Sequence, residues 1–344
     1  MNKQIVFINL KNNNYTRTKN YYNGLLKLNV ICLWYEVTGY RDLARVFHEL
    51  KSHDSEYIIV VTSRSQLLSI YSFCLGRRVI LDAGLPLWDG VITSRRSLGF
   101  LGFSLIKVYL IDYLSFHLAK HVIFETSAQN FRVSRMFALK RKKISCVLLG
   151  FDENRFCHEK LSEVSRPMEK SVLKVLFRGG NQVESGISLL LNVINKLVED
   201  ERFAFTLVTN NLEPTIESKN LKLLIGHISD DLMRELLTQS DLVLGQMLNH
   251  KRLSIAIPHK FYEAAYFSKP YLTADYGLME DFVNKGLVFG FKAGDTQSFI
   301  EQLNTLYEKQ FKLFTCGIKL GDWYNQNSSQ YVLTKNFLNI ISNV

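Results

Sequence analysis

Short runs of β-branched and aliphatic residues alternate with helix-length periodic segments along the whole chain, the pattern of parallel sheets covered by helices. In the first half, strands are expected at residues 5–10, 30–35, 57–62, 78–82, 121–124 and 144–148, with helices between them, notably at 40–51 and 66–75. A polar stretch at 152–170, carrying Pro167 and many charges, interrupts the pattern. The same order then restarts, with strands at 173–178, 203–209, 221–225, 242–244, 270–274 and 288–291 and helices at 186–199, 230–239, 259–267 and 296–309. A chain of 344 residues suits two domains of ~150 residues each. Two doubly wound units hold ligands at the C-terminal ends of their strands, so a cleft between them is the natural place for a site. Such a fold does not by itself name a reaction.

Composition removes several classes. Hydrophobic residues at 47% and charged ones at 22% exclude general disorder. A formal net charge of +10 suits nucleic acid, an anionic membrane or phosphate-bearing ligands. No RRM, zinc-finger or Walker signature accompanies it, and no GxGxxG follows a strand, which disfavours nucleic-acid binders and dinucleotide dehydrogenases. Five cysteines, odd in number and without CxxC pairs, argue against disulfides or zinc and fit a reducing cytosol. The N-terminus enters the run at 5–10 directly and reads as a first strand, not a signal peptide. The most apolar region, 98–118, is broken by Lys107 and Asp112, so a spanning helix is not expected. The histidines show no ligand spacing and no Asp-x-Asp occurs. No metal or other cofactor is expected, and Asp230-Asp231 after Ser229 reads as a capped, acidic first helical turn.

Two segments could carry chemistry. Arg178-Gly179-Gly180 follows a strand and precedes a helix; it is either a tight turn or a place where backbone N–H groups and a guanidinium meet phosphate. Ser240 to Gln246 leads into Ile257-Pro258-His259-Lys260-Phe261-Tyr262-Glu263. Pro258 suits a helix start, whose positive end and Lys260 would aim at a phosphate. Glu263, three residues on, could accept from two ribose hydroxyls, or could form only an exposed salt bridge with Lys260 worth tenths of a kcal/mol.

The second segment resembles the nucleotide-sugar domain of the large retaining GT-B glycosyltransferase family of bacterial polysaccharide and lipopolysaccharide synthesis. Its pattern is matched by Asp241, Leu244, Gly245, Ile257, Pro258, Lys260, Glu263, Ala264, Lys269, Pro270 and Thr273. Leu149-Gly150-Phe151-Asp152 resembles the family's hinge, and Gly226-His227-Ile228-Ser229 its base-binding loop. The resemblance implies two Rossmann-like domains facing each other across a cleft: an acceptor-side domain at 1–150, a hinge at 151–170, a donor domain at 171–320, and a C-terminal helix at 321–344 crossing back. It implies that Glu263 binds ribose, that Arg178, Gly179, Gly180 and Lys260 face the diphosphate, and that His227 and Ile228 meet the base. Many members carry a second Glu eight residues before the first, where this chain has Ile255. Donor-sugar contacts are then expected from Gly245, Gln246 and Arg252, and retention of configuration rests on the family alone. On the acceptor side, Asp82, at a strand end, and Arg17, in a glycan-facing loop, are the expected residues, with Arg178, Lys260 and Asp82 as catalytic candidates; Asp82 could equally cap a turn.

The activity so implied is transfer of a sugar from a nucleotide-sugar donor to a glycan or lipid-linked acceptor in surface polysaccharide synthesis. Arg95-Arg96, the run at 98–103 and the cluster Lys140 to Lys143 would dock the first domain on the inner face of the cell membrane, or else form a buried helix and a solvated turn. A non-catalytic sugar-nucleotide-binding scaffold and a basic nucleic-acid-binding protein are the alternatives.

Overall fold

A computed structural model describes residues 4–13, 15–52, 56–94, 102–156, 172–180, 182–210 and 219–344. The chain divides into two compact units, Met1–Asp152 with Ser328–Val344, and Glu153–Asn327. The first contains β1 (Gln4–Leu10), α1 (Thr16–Lys27), β2 (Cys32–Val37), α2 (Tyr40–Ser52), β3 (Tyr57–Val61), α3 (Gln66–Cys74) and β4 (Ile80–Gly84). It continues with α4 (Leu87–Ser94), α5 (Gly102–Leu118), β5 (His121–Phe124), α6 (Ser127–Met136) and β6 (Ile144–Cys146). The strands pair in parallel in the order β2-β1-β3-β4-β5-β6. Ile5, Val6, Phe7 and Ile8 of the interior strand β1 have no exposed surface, the consequence of a parallel strand covered by helices on both faces. Leu43, Val46, Phe47 and Leu50 form the single buried stripe by which α2 closes one face.

The second unit contains β7 (Leu173–Arg178), α7 (Ile187–Lys196), β8 (Phe203–Thr209), β9 (Leu221–Ile225), α8 (Asp230–Gln239), β10 (Leu242–Leu244) and α9 (His259–Tyr266). After these come β11 (Tyr271–Ala274), α10 (Leu278–Asn284), β12 (Phe289–Phe291), α11 (Thr296–Glu308) and α12 (Gln310–Asn327). Its parallel order is β12-β11-β10-β7-β8-β9, so the direction of winding reverses between β7 and β10. Ser229 caps α8 by accepting from the Leu232 N–H ahead of the acidic first turn. A last helix, α13 (Gln330–Ser342), belongs to the first unit, where Phe337 stacks on Tyr21 at 4.7 Å between ring centroids. Gly24 permits that packing, because a Cβ there would fall 1.9 Å from Thr334 Oγ1.

Every strand expected from the apolar runs forms within two residues of its place. The expected glycan-facing loop does not. Arg17 stands in the first turn of α1 with no exposed side-chain surface, and its Nε donates to Asp82 Oδ1 at 2.9 Å. Its Nη1 donates to the Val147 carbonyl at 2.7 Å and its Nη2 to the Phe124 carbonyl at 3.1 Å. Asp82 lies inside β4, not at its end, and its Oδ2 accepts from Thr18 at 2.7 Å and Ser63 at 3.0 Å. Both expected acceptor-side residues are thus corrected to an internal tie joining α1 to the ends of the sheet, since fully buried groups with satisfied hydrogen bonds present nothing to a ligand. The segment 95–101 and most of the stretch 152–170 lie outside the described residues. Among the described residues no helix is long and apolar enough to cross a membrane.

Replacing Asp82 with Ala leaves Arg17 as an uncompensated buried charge. The variant is expected to lose ~3–5 kcal/mol of stability by urea denaturation; a loss below ~1 kcal/mol contradicts this account of the tie.

Candidate functional site

In a doubly wound sheet a ligand sits beyond the carboxyl ends of the strands where the winding reverses. In the second unit that point lies between β7 and β10. Arg178 is the last residue of β7, and Gly179 extends the ladder through its N–H to the Val208 carbonyl at 2.9 Å. Gly245 follows β10, with Tyr271 and Thr273 packed so closely that a Cβ at 245 would lie 2.5 Å from the Tyr271 hydroxyl oxygen. The chain then runs through a short turn at Lys251–Ser254 to Pro258, whose φ of −62° matches the proline ring and which caps the start of α9.

Glu263 is the centre of the group. It is only 4% exposed, and its Oε1 accepts from Arg178 Nη1 and lies 3.1 Å from His259 Nδ1. Burial works to raise its pKa, but the His259 hydrogen bond and charge and the Arg178 guanidinium outweigh it and hold the carboxyl below its ordinary value. Lys260 does not form the i, i+3 salt bridge with Glu263 that was the alternative to a ligand-binding role. Its ammonium lies 4.0 Å from the centroid of the Phe177 ring and 3.5 Å from Gln246 Oε1. It reaches that position because residue 179 is Gly: a Cβ there would sit 2.8 Å from Nζ. Burial, offset in part by Glu263, pushes the Lys260 amine down to about 7.

A second loop joins the first. Glu184, in the turn Val183–Ser185, is 2% exposed and its Oε1 accepts from Arg252 Nη1 at 3.1 Å. The Met247 N–H donates to the Glu184 carbonyl at 3.3 Å, and Gly186, at φ +67°, packs so tightly that a Cβ would be 2.6 Å from Met247 Cβ. Ile255 is a buried apolar residue.

The structure therefore gathers Arg178, Gly179, Gln246, Lys260 and Glu263 at the switch point, with Gly245 beneath them. Gly180 adjoins them in sequence, its open Cα face against the Gln182 amide. Arg252 reaches the group through Glu184. His227 is exposed and Ile228 half-buried, following β9 two strands away from β7, at a distance of roughly 10 Å from typical strand spacing. Sequence reasoning missed His259 and Glu184. His259 had a signal, lying four residues before Glu263 on one helical face; Glu184 had none.

No protein-family model matches the sequence, and no curated protein sequence does. Solved structures do match. Anabaena HepE in complex with UDP and glucose superposes with a TM-score of 0.68 at 15% identity, over 99% of this chain and 100% of that one. Sucrose-phosphate synthase from Thermosynechococcus elongatus gives 0.69 at 10% identity, over 99% and 98%. A Listeria monocytogenes structure provisionally assigned as a UDP-N-acetylglucosamine 2-epimerase gives 0.63 at 12%, over 100% and 96%. The chain has the GT-B fold. At such identities the likeness carries the architecture, and the GT-B fold houses more than one activity among the matched proteins.

Below about pH 7 Lys260 carries its charge, and above it the charge is lost. Inorganic pyrophosphate is expected to bind wild type more weakly as pH rises from 7 to 9, by up to ~10-fold more than it does the Lys260→Arg variant, in which the charge persists. Equal pH dependence of the two affinities in equilibrium titrations contradicts the titration of Lys260 in that range.

Proposed function

We propose that this chain is a glycosyltransferase that takes its sugar from a uridine-diphosphate donor. One observation carries this: a buried, ionised Glu263 lies at the sheet's switch point beside Arg178 and near Lys260. A carboxylate there can accept from the two vicinal hydroxyls of a ribose, while the guanidinium and ammonium neutralise a diphosphate. The loop from Gly226 through His227 and Ile228 stands about two strand spacings from β7, a span suited to a uracil base on the same nucleotide. UDP and UDP-glucose are what the structures of Anabaena HepE hold.

Charge grows on the leaving diphosphate as the glycosidic bond breaks. Arg178 and Lys260 would stabilise that charge more strongly in the transition state than in the ground state, which is how such groups lower a barrier. The Arg178 guanidinium, joined by Lys260 in its protonated form, would match a diphosphate without a divalent ion, so activity is expected to survive EDTA; complete loss restored by Mg²⁺ or Mn²⁺ contradicts this part of the proposal. The resemblance of residues 241–273 to the retaining polysaccharide family is what supports including in this proposal a glycan or lipid-linked acceptor of surface polysaccharide synthesis and retention of configuration. The Listeria likeness supports a second reading, sugar-nucleotide epimerisation on the same donor site. Assaying a panel of UDP-sugars for free UDP separates the two: acceptor-dependent release of UDP supports transfer, and interconversion of sugar epimers without it overturns transfer.

A cytoplasmic place at the membrane is part of this proposal, and the surface of the first unit supports it. Ile106, Leu110, Tyr113 and Leu114 form an exposed apolar row on α5, beside the exposed Lys107. Lys143 donates to the His117 carbonyl near the end of that helix, bringing the exposed Lys140, Arg141 and Lys142 close to it. Such a basic, apolar face suits the interface of anionic lipid, where each cation contributes about 1 kcal/mol. Wild type is expected to float with phosphatidylserine vesicles at low salt, and Ile106→Ser with Leu110→Ser to abolish flotation; a wild type that stays in the soluble fraction contradicts it.

A further inference from the structure

We propose that Glu184 is a specificity-determining residue that accepts hydrogen bonds from the hydroxyls of the donor's sugar. The inference rests on the nucleotide-sugar reading above and goes beyond it by assigning the sugar to a residue of the β7–α7 connection. Glu184 is buried, and only one of its carboxylate oxygens is engaged: Oε1 accepts from Arg252, while Oε2 has no hydrogen-bond partner among the described residues. A buried carboxylate oxygen without a donor is costly, and native proteins keep one chiefly where a ligand or water completes it.

Its position selects the ligand. The carbonyl of Glu184 is tied to Met247, the residue after Gln246, and Gly186 is pressed against the same residue, so the loop is held against the chain that follows β10. The charge of Glu184 is felt at Lys260, which places the carboxylate on the Lys260 side of the site. Arg252 fixes the carboxylate in place without occupying Oε2. A sugar joined to a diphosphate that lies at Arg178 and Lys260 would bring its hydroxyls to this side, and neutral hydroxyl donors match an acceptor-only group. The site would favour neutral sugars with free hydroxyls over uronic acids, whose carboxylate would meet Glu184 with like charge. Ile255, apolar and buried, contributes no hydrogen-bonding side chain to this role.

The test is calorimetric titration of UDP, and of whichever of UDP-glucose, UDP-galactose and UDP-N-acetylglucosamine binds wild type most tightly, into wild type and Glu184→Gln. The amide keeps the shape of the side chain and one acceptor oxygen and removes the charge. Affinity for UDP is expected to change less than ~2-fold while affinity for the UDP-sugar falls ~10-fold or more, the usual worth of a charge-assisted hydrogen bond. Thermal melting of the ligand-free variant is expected to match or exceed wild type, because a partly unsatisfied buried charge has been removed. Equal losses for UDP and UDP-sugar, or an unchanged UDP-sugar affinity, overturn the proposal, and a lowered melting temperature accompanying equal losses assigns Glu184 a purely structural role. If Glu184→Gln does not fold, Glu184→Asp, which keeps the charge but shortens its reach, must show the same split. A wild type that binds neither UDP nor any UDP-sugar instead overturns the nucleotide-sugar reading itself, and this inference with it.

Discussion

The second unit is organised around the enclosure of one carboxylate. Removing a carboxylate from water costs several kcal/mol unless opposite charge and hydrogen bonds replace the lost hydration. At Glu263 the replacement comes from Arg178 at the end of β7 and His259 one helical turn away. Those contacts fix the start of α9 against the carboxyl end of the sheet. They also set where Lys260 can go, since its ammonium turns away from Glu263 to the Phe177 face and the bare Cα of Gly179. Arg178 keeps much of its guanidinium exposed, with 43% of its side chain accessible, so the cluster is closed toward the core and open toward solvent.

The first unit shows the alternative. Arg17 and Asp82 form a fully buried ion pair near the carboxyl ends of their own sheet, and each guanidinium nitrogen and carboxylate oxygen has a protein partner: two backbone carbonyls beside Asp82 for the guanidinium, and Thr18 and Ser63 beside Arg17 for the carboxylate. The same chemistry at a comparable place in the sheet therefore performs two tasks. One pair is wholly internal, and the other keeps its guanidinium partly exposed, as the proposed diphosphate contact requires. The difference lies in how many partners the surrounding backbone supplies.

Much of this was legible in the sequence. Interior parallel strands such as β1, buried on both faces, write themselves as continuous apolar runs, and the half-buried edge strands β2 and β9 keep enough apolar residues to be placed as well. Helix α1 did not stand out, because Thr16–Lys27 buries Arg17, Thr18 and Asn20, and a buried polar face has no apolar period to detect. The stretch 321–344, expected as a C-terminal helix crossing back, holds the end of α12 and all of α13, and the boundary between the compact units falls between Asn327 and Ser328. Arg178, Lys260 and Glu263 were singled out by the resemblance of their segments to a nucleotide-sugar domain, since residue types and local spacing alone left a tight turn and an exposed salt bridge equally open. Glu184 was not, because its meaning depends on Arg252, 68 residues away, just as Arg178 depends on Glu263 across 85. Such pairings are settled by topology, which brings β7 and β10 side by side, and not by any local pattern.

Recognition of the nucleotide by Glu263 is the proposal on which the assigned function rests. Calorimetric titration of UDP into wild type, Glu263→Gln and Glu263→Ala tests it most directly, with circular dichroism to establish that all three are folded. Two charge-assisted hydrogen bonds to a ribose predict a loss of ~10-fold to 100-fold or more for the alanine variant and an intermediate loss for the glutamine variant. Equal affinity of the three proteins for UDP, or no binding by wild type, would contradict it.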